Sequence, residues 1–196
     1  SHTPTGSVTF YDDATSLGTV ALAGDSAEIS SADLAGGGHT IKAVYGGDGN
    51  FKNDSSSVVQ TVNQAAPTVT LTSSANPSAF EQNVTFKAKV TNSSHTPTGS
   101  VTFYDGAVSL GNVTLTGDSA EVSTADLSVG SHTIKAVYSG DGSFNADSTT
   151  VVQTVNKAEP TVDLTSSASP STFEQSVTLM AKVHNSRHTP TGSVTF

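Results

Sequence analysis

The chain has no cysteine. Disulfide frameworks, thiolate metal sites and cysteine nucleophiles are excluded at once. It has no tryptophan and one methionine, and aromatic residues are 6% of the total. Any core must therefore be built from aliphatic side chains and a few phenylalanines and tyrosines. Lysine and arginine number 8 against 17 aspartates and glutamates, a formal net charge of −9. The cations are spread along the chain, so there is no clustered basic face of the kind that displaces counterions from nucleic acid. The same scarcity argues against docking on anionic lipid. The excess of acid reads as a solubility device. No apolar run approaches the roughly 18–20 residues that span a bilayer, and no signal-peptide pattern is visible. No segment repeats its apolar residues at helical spacing.

What the sequence does have is internal repetition. His-Thr-Pro-Thr-Gly-Ser-Val-Thr-Phe begins at His2, His95 and His188, 93 residues apart each time. Residues 1–63 agree with 94–156 at 47 of 63 positions, and 158–196 agree with 65–103 at 30 of 39, without insertion or deletion. The copies therefore differ by substitution alone, which fixes their register. The expected organisation is the C-terminal part of one repeat over 1–64, a complete repeat over 65–157 and the N-terminal part of the next over 158–196. Two linkers of one form, Asn63-Gln64-Ala65-Ala66-Pro67 and Asn156-Lys157-Ala158-Glu159-Pro160, mark the joins. Proline fixes φ and removes a donor, which suits a strand start or a hinge. A 93-residue unit is large enough for a core of its own.

Within the complete repeat, Thr68–Thr72 alternates polar and apolar, as a half-buried strand does. Val84, Phe86, Ala88 and Val90 alternate with Thr85, Lys87 and Lys89, the cleanest strand pattern in the chain. Val101 and Phe103 point one way, Thr102 and Tyr104 the other. Asp105-Gly106 signals a hairpin, although Asp13 replaces the glycine in the first copy. Val108–Thr116 reads as a strand pair or a bent strand, with a bulge at Gly111. Gly117-Asp118-Ser119 is a turn, and Ala120 and Val122 share a face. Ser131–Ser139 places His132, Ile134, Ala136 and Tyr138 on one side. Thr149–Asn156 is the last strand, where Val151-Val152 leaves the facing open. About seven short strands with turns every 8–12 residues point to an all-β Greek-key sandwich of immunoglobulin type. Its core is expected from Val84, Phe86, Val101, Phe103, Leu115, Val122, Ile134, Tyr138 and their copies.

Pro97-Thr98-Gly99-Ser100-Val101-Thr102-Phe103-Tyr104-Asp105-Gly106, Leu110-Gly111, Gly130-Ser131-His132-Thr133-Ile134-Lys135-Ala136-Val137-Tyr138, Gly140-Asp141 and Phe144 together resemble the bacterial immunoglobulin-like repeat family. The resemblance covers the whole chain. It implies tandem arrays in large cell-surface or secreted proteins, including adhesins, and hence an extracellular location. It also implies modules that serve as spacers, stalks and contact surfaces. Unlike antibody-type domains, this chain has neither the central tryptophan nor the disulfide.

Candidate chemistry is sparse. His184 and His188 are four apart, which shares a face only on a helix, and they fall in a strand-to-turn region. His132 reads as a satisfied core or edge histidine. Gly24-Asp25-Ser26 and Gly117-Asp118-Ser119 look like a serine-nucleophile motif, but no base and orienting group accompany them, and the triplet is ordinary turn chemistry. Asp141, Ser143, Asn145 and Asp147 place oxygen-bearing side chains at alternate positions, as in a calcium loop. The glycine and glutamate of an EF-hand are missing, and the first copy carries Lys52 among Asp48, Asn50 and Asp54. Calcium there stays open beside the preferred reading of a solvated connection. Lys42 and Lys135, needed for an isopeptide crosslink, fall on the outward phase. No catalytic, cofactor or metal residue is assigned, and no cofactor is expected.

The register reads as a window on a longer array. The terminal pieces are also complementary, so head-to-tail self-association into a filament is a second possibility, although 187–196 duplicates 1–10. The functional expectation is a non-enzymatic stalk, spacer or fibre body. The alternative is an adhesin-type module that binds glycan or protein through its loops.

Overall fold

The computed structural model describes residues 2–185 and 189–196. Its strands are β1 (Ser7–Asp12), β2 (Thr15–Ala21), β3 (Gly37–Tyr45), β4 (Asp54–Val62), β5 (Thr68–Ser73), β6 (Ser78–Ala79), β7 (Val84–Thr91), β8 (Ser100–Asp105), β9 (Val108–Thr114), β10 (Ser119–Thr124), β11 (Gly130–Tyr138), β12 (Asp147–Asn156), β13 (Thr161–Ser166) and β14 (Leu179–His184). No helix occurs among the described residues. The strands form four sheets: β2-β1-β3-β4, β10-β7-β5, β6-β12-β11-β8-β9 and β13-β14. The second and third face each other, and the chain changes sheet after β5, β6, β7, β9 and β10.

The alternation explains the sandwich. On β7, Val84, Phe86, Ala88 and Val90 are buried while Lys87 and Lys89 reach solvent. On the opposing sheet Val101, Phe103, Ile134, Ala136 and Tyr138 are fully covered. Each large side chain hidden this way contributes about 1.5–3 kcal/mol. Leu115 and Val122, expected in the core, are only partly buried at its edge, whereas Ala120, Leu127, Phe144 and Val155 complete it. The expected burial of the copies also fails at the ends. Phe10, Ile41 and Tyr45, counterparts of Phe103, Ile134 and Tyr138, are only half-buried. Among the described residues the single sheet β2-β1-β3-β4 has no second layer of its own.

Turns settle the local ambiguities. Val108–Thr114 is one strand with a bulge: Phe103 pairs with Gly111 and Tyr104 with Ser109, so Leu110 is the extra residue. Gly111 holds φ at +147°, where only glycine is at ease. The β8–β9 loop is Gly106-Ala107, and only Gly106 has positive φ, so it is not the type I′ turn that Asp-Gly suggests. In the first copy Asp13 itself takes φ +49° and fills the same role.

The facing of β12 is settled by Gln153, which no sequence signal had marked. It is fully buried. Its Oε1 accepts from Ser73 Oγ at 2.6 Å, and its Nε2 donates to Ala75 O at 2.9 Å, Ser78 Oγ at 3.2 Å and Thr154 O at 3.1 Å. A buried amide is tolerated only when so paired. Gln153 thus ties the last strand of one sheet to the segment leaving the other, a polar pin in a sandwich that has no disulfide.

Candidate functional site

The repeated motif gains its meaning where it meets the β11–β12 turn. Pro97 is buried. Thr98 donates twice to Asp141 Oδ2, from its amide at 2.7 Å and its hydroxyl at 2.9 Å. Asp141 Oδ1 accepts the amides of Ser143 and Phe144, each at 2.8 Å. Burial works against ionisation of this carboxyl, but the Thr98 amide and the other donors hold it down at about 2. The buried Tyr138 hydroxyl donates to Thr98 O at 2.6 Å, and burial first, with Asp141 nearby, raises it to about 12. Gly99 sits at φ +97°, close against Gly140 O. The first copy repeats the arrangement: Asp48 accepts from Thr5, Asn50 and Phe51, and Tyr45 donates to Thr5 O. The Thr5 amide leads in lowering Asp48.

The four candidate calcium ligands therefore do four different things. Asp141 is engaged on both oxygens by protein donors. Ser143 Oγ accepts the Gly36 amide at 3.3 Å. Asn145 donates through Nδ2 to Gln64 O at 3.2 Å. Asp147 accepts the Ser148 amide at 2.7 Å. Among the described residues no three acids or histidines are grouped as metal ligands.

The remaining candidates also have local roles. His132 Nδ1 lies 2.7 Å from Asp105 Oδ2 and its Nε2 2.8 Å from Ser128 O. The Asp105 carboxylate and the Ser128 carbonyl both accept, an arrangement that favours the ring protonated on both nitrogens, and the Ser128 hydroxyl also lies 3.4 Å from Nε2. Burial lowers the affinity of His132 for its proton, but the Ser128 carbonyl and Asp105 outweigh it and the net shift is upward. His39 repeats the pattern with Ala35 O at 2.8 Å and Asp12 at 2.9 Å, and it too is raised, chiefly by the Ala35 bond. Ser119 Oγ donates to Asp118, whose other oxygen meets Lys89 at 3.1 Å, so the Gly-Asp-Ser triplet is a turn with an ion pair. Lys42 and Lys135 are exposed. His184 Nδ1 faces Asp163 at 3.4 Å, and His188 lies outside the described residues.

Beyond these, the chain has a junction. Residues 32–36 and 62–65 meet residues 92–98 and 141–144 around a cleft of about 510 Å³. Ala65 donates to Ser143 O at 2.9 Å and accepts from the Asn145 amide at 3.0 Å, while Gln64 Nε2 donates to Asp141 O at 2.6 Å. His95 and Asp33 face each other across it at 3.7 Å. The Asp141 turn that closes the sandwich is thus also the surface on which the preceding segment rests.

Two facing, mainly antiparallel sheets with five sheet-to-sheet crossings and a tyrosine-locked turn define an immunoglobulin-like sandwich. The chain belongs to the bacterial Ig-like domain (group 3) family, whose description matches residues 1–63 and 71–156. Such modules are often carried by extracellular or surface proteins. Among solved structures, the fibronectin(III)-like modules of Clostridium thermocellum CbhA are similar at 21% identity and a TM-score of 0.41, over 80% of this chain and 81% of that one. No curated protein matches the chain.

Proposed function

We propose that the chain is a non-enzymatic spacer: a run of 93-residue Ig-like units that serves as stalk or fibre body of a bacterial surface or secreted protein. One observation carries this reading. Every fully buried side chain of the central core comes from one repeat, between Val69 and Val155. Such a unit can be added in series without altering its neighbours. The polar side chains with recognisable geometry are spent on turns and joins, which supports a mechanical role over a chemical one. Pulling on a chain of several repeats should give equal force peaks, each releasing roughly 30 nm, the length of a unit extended at about 3.3–3.6 Å per residue. Increments unrelated to that length would refute the unit.

The partners follow from the same reading. Val162, Leu164 and Leu179 on the β13–β14 hairpin are 57%, 63% and 52% exposed, and Val58 on β4 is 64% exposed. They are the counterparts of Val69, Leu71, Phe86 and Val151, which share one core. A complementary repeat, adjacent in the array or from a second copy of the chain, would cover them.

A further inference from the structure

We infer that residue 36, with its counterpart 129, sets whether one repeat docks tightly on the next, and that glycine there closes the junction. Gly36 does not hold a positive φ, so its backbone conformation does not require glycine. What requires it is proximity. A Cβ at residue 36 would overlap the carbonyl oxygen of Gly142 and lie 3.1 Å from Gln64 Cγ and 3.2 Å from Ser143 Cα. Two of these three atoms are backbone of the facing turn, and that turn is pinned by Asp141 to Thr98, so it cannot yield cheaply. The loop bearing Gly36 is fixed from behind as well, because His39 Nε2 bonds the Ala35 carbonyl. Two held surfaces therefore meet at Gly36, the one of three consecutive glycines whose Cβ would meet the facing turn.

The counterpart residue is Val129. It is 46% exposed and lines a cleft of about 400 Å³ with Asn185, Thr189 and Thr191. A valine cannot adopt the approach that Gly36 makes. Gln64, whose amide bonds Asp141 O, is likewise replaced, by Lys157. The same array would therefore contain stiff joints where the residue is glycine and looser ones where it is valine. Its bending would be written in one residue per repeat.

This inference rests on reading the chain as an array whose repeats touch end to end. The test uses the whole chain, whose lack of cysteine makes labelling unambiguous. Lys42→Cys and Lys135→Cys, both exposed, take spin labels on either side of the junction. The label-to-label distances should form a narrow distribution. Gly36→Val, and the milder Gly36→Ala, should widen it at least about twofold, because undocked units move freely. Exchange of the Ala65 and Asn145 amides should accelerate in step, while the Phe86 and Ile134 amides stay protected. An unchanged width in Gly36→Val overturns the inference. So does a distribution already broad in the parent chain, an outcome that leaves the spacer reading intact. Loss of the 30 nm force increments would instead remove that reading.

Discussion

Gly-Ser-Val-Thr-Phe has three fates in this one chain. At 99–103 it lies in a central strand between β9 and β11, and Val101 and Phe103 are fully buried. At 6–10 it has the same two strand neighbours, β2 and β3, but its apolar side is only half-covered. At 192–196 it is no strand, and Phe196 is 76% exposed. A second pair says the same. Ser119–Thr124 is β10 because it pairs with β7, whereas residues 27–31, nearly the same sequence, form no strand in a sheet that has no counterpart of β7. Local propensity is common to all copies, so the difference is tertiary. A strand here is made by its neighbour, and a core by its opposite layer.

The largest effect expected from this contrast is at the phenylalanines. Phe103→Ala should lower stability by about 3–5 kcal/mol, the cost of a large cavity in a closed core. Phe10→Ala, at the equivalent place in the single-layer sheet, should cost less than half as much. Denaturant titrations of the two variants compare them directly, and equal losses would mean that the first sheet is covered in solution. The glutamines sharpen the same point. Gln153→Ala breaks the bonds to Ser73, Ala75 and Ser78, with Ser73 Oγ keeping Ala75 O at 3.1 Å, and should cost about 1–3 kcal/mol. Gln60, its counterpart, is exposed, so Gln60→Ala should leave the midpoint unmoved.

The smallest effect is one the two regions share. Both His39 and His132 are raised above the ordinary value of 6.5. Each holds its proton more tightly folded than unfolded, so its stabilisation is complete below pH 6.5 and is lost as pH rises through the raised value. Melting temperature should therefore decline modestly between neutral and mildly alkaline pH. His39→Gln with His132→Gln should abolish the decline, and a decline that persists would assign it to other groups.

How far the sequence could be read follows from the same physics. The strands, the bulge beside Gly111, whose extra residue is Leu110, and the inward phase of Val84–Val90 were legible because alternation and turn chemistry are local. Gln153 was not, since a polar residue after Val151-Val152 says nothing about facing until its partners at 73–78 are known. Asp141 looked like a ligand because its spacing was visible and its four donors were not. Gly36 was lost among three consecutive glycines, because the carbonyl it approaches is more than a hundred residues away. The incomplete burial at both ends escaped because identical residues were expected to behave identically.

The closure of the core within one period, fastened by Gln153, has a consequence for inheritance. A stretch of gene that repeats itself in register can mispair during copying, and the product gains or loses whole periods. Where the fold depends on contacts between distant periods, such an event is ruinous. Here each product retains intact cores and one more or one fewer joint. On the proposed spacer reading, reach becomes a quantity that a lineage can adjust in steps of one unit without inventing a new fold.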